Sequence, residues 1–371
     1  MMQSRILRSP GDGTVSRAAE LPPRDGGDAW VWMDVVAERG DIDELLAVTT
    51  DLQLDAVAVR DAVDDVDLPK VDDFGHHLVV ILHGLRDDRV ETYEVDCFVT
   101  DRYLVTVHDV PSPAIDALWD RLAQSPELAA GSVDELVARL ADVLTRRLLS
   151  VLDAFDDEVD HLIDAALAAD PELLVNWMAI RTDVAAVRRV VHPQREALDV
   201  LRHSSSPLIT EAGRRRFADV FDVAARTTAG LDAARSALAE ILDAYRGAEA
   251  RQATDVTKVL TVYAAVMLPL SLVAGFFGMN FTNLPGLSTD SGWVVVTAIM
   301  FAIAALSLGM FVALGWTRRP SGREAGAALG RGLSEAARVP VQIVGAAYEI
   351  STTPLRSAIT RATRDPSSRR R

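Results

Sequence analysis

The sequence predicts an α+β fold: an N-terminal mixed α/β domain, a long helical stalk and two C-terminal transmembrane helices. Three observations predict it. Val259–Phe281 and Trp293–Trp316 run for 23 and 24 residues without a charged side chain, and about 20 apolar residues cross a bilayer. Strand-like apolar runs occur only in the first part of the chain, before residue 130. From about Thr210 to the first uncharged run no proline intervenes. Continued to Gly278, that stretch makes one helix of roughly 70 residues, about 100 Å long at 1.5 Å per residue.

The elements follow in order. Residues 1–28 are polar, carry Pro22-Pro23 and Gly26-Gly27, and lack the apolar centre of a signal peptide. They are expected to be a disordered lead. Trp30–Val35 reads as a strand, and Asp41–Leu52 as a helix capped by Asp41. Leu78–Leu82 is a short apolar run that suits a buried strand. Glu91–Val99 and Tyr103–Val107 read as further strands joined at Thr100-Asp101. Helical pattern starts near Ala114, and the α/β domain is expected to close at 130.

Residues 131–204 read as paired acidic helices. Leu148, Leu152, Phe155, Val159 and Leu162 share one helical face, and Asp153, Asp157, Asp160 and Asp164 another. The acidic face either gathers cations or is simply solvated. Pro171 restarts a helix that runs to Arg202, and Ser204–Pro207 breaks it. The stalk takes 205–258, the two spans and a short external loop 259–317, and a basic tail 318–371. Gly213, Gly230 and Gly247 each cost the stalk helix up to about 1 kcal/mol, so neighbouring helices must support it.

Charge is divided just as sharply. The 371 residues carry a net charge of −16. Residues 1–258 hold −22, residues 259–317 only Asp290, and the tail +7. An acidic body excludes general nucleic-acid binding, which needs Lys and Arg against phosphates. It suits divalent cations. Cys97 is the lone cysteine, so one chain forms neither a disulfide nor a cysteine zinc cluster. No His-Glu-x-x-His, Gly-x-Ser-x-Gly or Walker loop is present, and the chain does not read as an enzyme. His76, His77 and His83 flank a strand; they could ligate a metal, but read first as packed or solvent-facing.

Lys258 precedes the first span, Arg318-Arg319 follows the second, and the loop between them has no Lys or Arg. Positive residues stay on the cytoplasmic side. A multi-pass protein of the cell (inner) membrane with both termini cytoplasmic is expected. Two spans cannot enclose a water path, so several copies must ring an axis. Steps of four and three along the long helix give Asp243, Gly247, Ala250, Thr254, Thr257, Thr261, Ala264, Leu268, Ser271 and Gly275. All but Leu268 are small or polar, and a 3.5-residue spacing keeps them on one face. The stripe lines a pore or allows close helix packing. Leu260 beside it suits a hydrophobic gate, and Asp243 a ring of carboxylates at the inner mouth.

The first span ends in Gly278-Met279-Asn280, which resembles the signature of the CorA-type divalent-cation (magnesium) transporter family. Lys258–Thr261, Pro269-Leu270-Ser271 and Gly275 resemble that family's first span. Leu68–Val71 resembles its turn before a strand, His192–Glu196 its Pro-x-Arg-Glu segment, and Asp219–Asp222 its Asp-Val-aromatic-Asp. The resemblance covers about residues 29–317. It implies a homopentameric funnel in the lipid bilayer, with five long helices around the pore. Gly278, Met279 and Asn280 would form the outer mouth, where Asn amides meet a hydrated cation. It also implies transport of Mg2+, with Co2+ and Ni2+, and gating by cytoplasmic Mg2+ held between subunits by Asp61 and Asp219. No organic cofactor is implied. Two alternatives are a Zn2+ transporter of the same superfamily and a non-conducting, membrane-anchored scaffold or metal sensor. The tail is expected on anionic lipid, on the acidic body, or disordered.

Overall fold

Trp30–Val36, Leu78–Leu85 and Tyr103–His108 are largely apolar on both sides of the pleat, so each needs cover on two faces. The computed structural model describes residues 2–10, 12, 14–23, 29–64, 66–86, 90–279 and 291–316. Seven strands form one sheet: β1 Gln3–Ser9, β2 Ser16–Ala18, β3 Trp30–Val36, β4 Lys70–Asp73, β5 Leu78–Leu85, β6 Thr92–Val99 and β7 Tyr103–His108. Their order is β2-β1-β3-β7-β6-β5-β4. Among the described residues only β3 and β7 pair parallel; the other pairs are antiparallel.

Helices α1 Ile42–Thr49 and α2 Ala56–Asp64 cover one face, over Val31, Met33, Val79, Ile81 and Phe98. The other face presents Trp30, Trp32, Val80, Leu82 and Leu104. It meets α3 Pro113–Gln124, α4 Pro126–Ala129, the start of α5 Val133–Ala168, the end of α6 Leu173–Arg202 and the start of α7 Glu211–Phe277. Among the described residues the last helix is α8 Gly292–Ala313. Among the described residues, α7 and α8 are long and apolar enough to cross a membrane.

Three expectations are corrected. The lead is not disordered throughout, because β1 and β2 lie within it. Its apolar content is small, but Ile6 and Leu7 are buried, and β1 pairs with β3 along its full length. Arg5 also reaches Asp34, Nε to Oδ2 at 2.9 Å. Second, Asp41 makes no side-chain cap on α1; its carboxylate accepts from the Glu38 amide at 3.2 Å. The predicted helix there is α1 followed by a 3-10 turn, Thr50–Leu52, which ends at Gln53 with φ 57°. Third, the core does not stop at residue 130. Val133, Leu136, Leu140 and Leu144 of α5 pack with Leu198, Phe217 and Val220 in the same cluster as the sheet.

Two compact units divide the described residues. One takes those up to His161 with Leu174–Leu238, the other Leu162–Leu173 with those from Ala239 on. Asp134 ties helix starts together in the first: the Thr210 amide and hydroxyl each donate to its Oδ2 at 2.7 Å. Thr210 in turn caps α7, accepting from the Gly213 amide at 3.0 Å. A Cβ on Gly213 would collide with the Asp134 carboxylate, and one on Gly230 with Leu152. The glycines that weaken α7 locally are the ones that let it pack.

Candidate cation path and regulatory acids

Buried residues on α7 recur in steps of three and four, from Phe217 through Leu231, Leu238 and Ile241 to Tyr245 and Ala248. That seam faces the protein. The predicted stripe is offset from it by two residues, about 200° around a helix of 3.6 residues per turn. It therefore occupies the opposite face. Asp243, Ala250, Thr254, Thr257, Thr261, Ala264, Leu268, Ser271 and Gly275 are exposed, and Gly247 is half-buried. Val262, Val266, Leu270 and Val273, off the stripe, are half-buried, whereas Leu272, also off it, is exposed. Leu260 is exposed beside it.

The stripe's hydroxyls have a fixed polarity. Thr254, Thr257 and Thr261 donate to the carbonyls of Ala250, Ala253 and Thr257 at 2.8, 2.9 and 2.8 Å. Each proton is committed to the helix, so each oxygen offers lone pairs outward. Those are acceptors, suited to the outward-pointing hydrogens of a hydrated cation. Earlier on the helix Asp243 sits 3.3 Å from Arg246, and among the threonines Asp255 sits 3.0 Å from Lys258. A cavity of about 850 Å3 opens beside Ala250, Arg251, Thr254, Lys258 and Leu260.

The regular helix ends at the predicted mouth. The Gly278 amide donates to Ala274 O at 2.9 Å, and the Met279 amide to Phe276 O at 3.4 Å. Asn280, the loop to 290 and the tail 318–371 lie outside the described residues.

Asp61 is exposed on α2 and Asp219 is exposed on α7. The sheet stands between them, because α2 packs on one face and α7 on the other. One chain therefore does not bring them together. Among the described residues, no three His, Cys, Asp or Glu side chains converge as a metal site. His76 Nε2 meets Gln53 O at 2.8 Å, His77 Nε2 accepts the Asp55 amide at 3.4 Å, and His83 Nε2 meets Asp67 O at 2.8 Å. All three histidines are engaged with backbone.

Two charged groupings escaped the sequence reading. The first is Asp142–Arg146 on α5, an i,i+4 pair with Nε–Oδ1 2.8 Å. Its only sequence signal is that spacing. The second is Glu94 and Asp96, two acids at i,i+2 in the otherwise apolar β6, visible as a break in the pattern. Both line a cavity of about 650 Å3 beside Asp64, His108 and Asp109. Glu94 Oε2 accepts the Asp67 amide at 2.7 Å. Burial, then the neighbouring Glu94, pushes the Asp96 carboxyl up to about 9.

A raised carboxyl pKa means the folded chain keeps a proton that the unfolded chain releases. That contribution to stability is complete in acid and is lost as pH climbs from the ordinary carboxylate range to about 9. Asp96→Asn is expected to flatten the dependence of Tm on pH. It should raise Tm at pH 9 by roughly 3–6 °C, measured by thermal unfolding in detergent from pH 5 to 9.

The chain resembles known proteins over most of its length. It is 26% identical over 254 residues to the cobalt/magnesium transport protein CorA of Thermotoga maritima, covering 67% of this chain and 72% of that one. It is 23% identical over 252 residues to the zinc transport protein ZntB of Yersinia enterocolitica, covering 66% and 75%. The structure of the CorA magnesium transporter from Methanocaldococcus jannaschii superposes with a TM-score of 0.72 at 19% identity, covering 84% of this chain and 98% of that one. A family model described as CorA-like Mg2+ transporter protein matches residues 27–319. Strands β3 to β7, the long helix and the second apolar helix fall within that match, and the chain belongs to the CorA-like Mg2+ transporter protein family.

Proposed function

We propose that copies of this chain form a homopentamer in the bilayer and conduct hydrated divalent cations, Mg2+ foremost with Co2+ and Ni2+ accepted. The observation that carries this reading is the exposed hydroxyl-bearing stripe of α7. Mg2+ dehydrates reluctantly and keeps its waters. Thr254, Thr257, Thr261 and Ser271 accept hydrogen bonds from those waters, and Ala264 and Gly275 leave room for them. The first span contains no acid between Lys258 and Phe277, so no fixed charge traps the ion. Asn280 acts as the outer acceptor with Gly278 and Met279, and Asp243 gathers cations at the inner end. With both termini cytoplasmic, the membrane potential drives entry by about 4.6 kcal/mol for a divalent ion per 100 mV.

Cytoplasmic Mg2+ regulates the path by joining Asp219 of one copy to Asp61 of another. The donor chemistry fits: both are exposed carboxylates, and hard cations take oxygen ligands. Because one chain holds them on opposite sheet faces, the shared ion requires a second copy. Loss of the ion leaves acids to repel and the closed ring to loosen.

A Zn2+ transporter is the second reading, favoured by the similarity to ZntB. A scaffold or sensor that conducts nothing is the third. Proteoliposome flux with Mg2+, Co2+, Ni2+ and Zn2+, read with ion and proton dyes, separates them. Mg2+ entry without proton movement is expected. Zn2+ entry coupled to protons replaces the first reading by the second, and absence of any flux from intact oligomers leaves the third. Asp219→Ala is expected to raise flux about tenfold at high internal Mg2+; unchanged flux removes the regulatory assignment.

A further inference from the structure

We infer that Arg146 is a tethered cation that competes with the regulatory divalent ion for Asp219, and so sets the ion concentration at which the path closes. The inference rests on the reading of Asp219 as a regulatory ligand.

Arg146 on α5 and Asp219 on α7 line one cavity of about 230 Å3. Asp142 holds the guanidinium from its own helix, accepting Nε on both oxygens at 2.8 and 2.9 Å. The charge of Asp142 is thereby matched. Asp219 carries no hydrogen bond or ion pair among the described residues. Its charge acts on Arg146, which is held above its ordinary pKa by the Asp142 hydrogen bond first and by Asp219 as well.

Three more arginines line the same cavity, Arg121, Arg139 and Arg216. Two of them are directed elsewhere. Arg216 Nε donates to Glu135 Oε2 at 2.7 Å, and Arg139 Nη2 donates to Ala130 O at 3.3 Å. Arg146 shares this cavity with Asp219 and is the guanidinium held in place there by a neighbouring carboxylate on its own helix. It is always protonated and cannot diffuse away. A divalent ion arriving at Asp219 meets the guanidinium's repulsion, reduced by the paired Asp142 carboxylate, which a neutral side chain at 146 would not exert. The binding threshold rises by a factor that is largest at low salt, because mobile ions screen an exposed guanidinium.

The test is a Mg2+ titration of the full chain purified in detergent, followed by thermal unfolding, since an ion that binds only the folded state raises its melting temperature. Internal Mg2+ inhibition of flux is measured in parallel. Arg146 is 60% exposed, so its substitution leaves the core intact. Arg146→Gln is expected to lower the Mg2+ midpoint about three- to tenfold in both assays. Arg146→Lys, which keeps the charge, should stay near the parent value. A midpoint that is unchanged or higher in Arg146→Gln, while Asp219→Ala loses Mg2+ protection, overturns the inference alone. Full protection in Asp219→Ala overturns the regulatory reading, and the inference with it.

Discussion

A cationic thiol reagent arrests divalent-cation flux through a Thr261→Cys variant by at least about tenfold, because each modified copy adds a fixed positive charge to the path. The same reagent leaves a Val262→Cys variant conducting. Thr261 is exposed on the stripe and Val262 is half-buried one residue away, about 100° around the helix. The parent chain supplies a clean background. Its lone thiol, Cys97, lies fully buried in β6, and burial raises its pKa, so thiolate is scarce. Flux is recorded in proteoliposomes before and after the reagent. Equal block at both positions, or at neither, would show that the stripe does not face the ion.

Asn280→Ala lowers flux by about tenfold or more while the oligomer stays assembled on size exclusion. A hydrogen bond involving a charged group contributes about 1.5–3 kcal/mol, and about 1.4 kcal/mol is a factor of ten in rate. A hydrated divalent ion polarises its waters, so a lost carboxamide acceptor at the mouth raises the entry barrier by that order. The outer mouth would have to be elsewhere if the alanine variant carried Mg2+ at the parent rate. Together the two measurements locate the path at its membrane-spanning and outer ends.

Much of the candidate path was legible because it depends on residue type at a fixed helical period. The stripe from Asp243 to Gly275 is one of two 3.5-residue series on the same helix. The sequence shows its residues to be small or polar, Leu268 excepted, but does not say which series faces the protein. Burial of Phe217, Leu231, Leu238 and Ile241 decides that. The regulatory pair was less legible. Asp61 and Asp219 were placed by resemblance to short motifs, and nothing local distinguishes them from other acids in a chain with 54. Arg146 gave no signal beyond its i,i+4 spacing from Asp142, since its further meaning comes from a residue 73 positions away that lines the same cavity.

By itself the sequence determined the two uncharged spans, the apolar strands around Leu78–Leu82 and Tyr103–Val107, and the long helix. Hydrophobic periodicity and absence of charge are local properties, and solvent or lipid acts on them directly. Tertiary structure decided what rests on distant partners. β1 joins the sheet because β3 offers an edge and Asp34 binds Arg5. Gly213 and Gly230 are needed because Asp134 and Leu152 occupy the space of a side chain. Asp61 and Asp219 are held apart because helices cover both faces of one sheet. Such pairings are made by burial and hydrogen bonding across tens of residues, which a window of neighbouring letters does not contain.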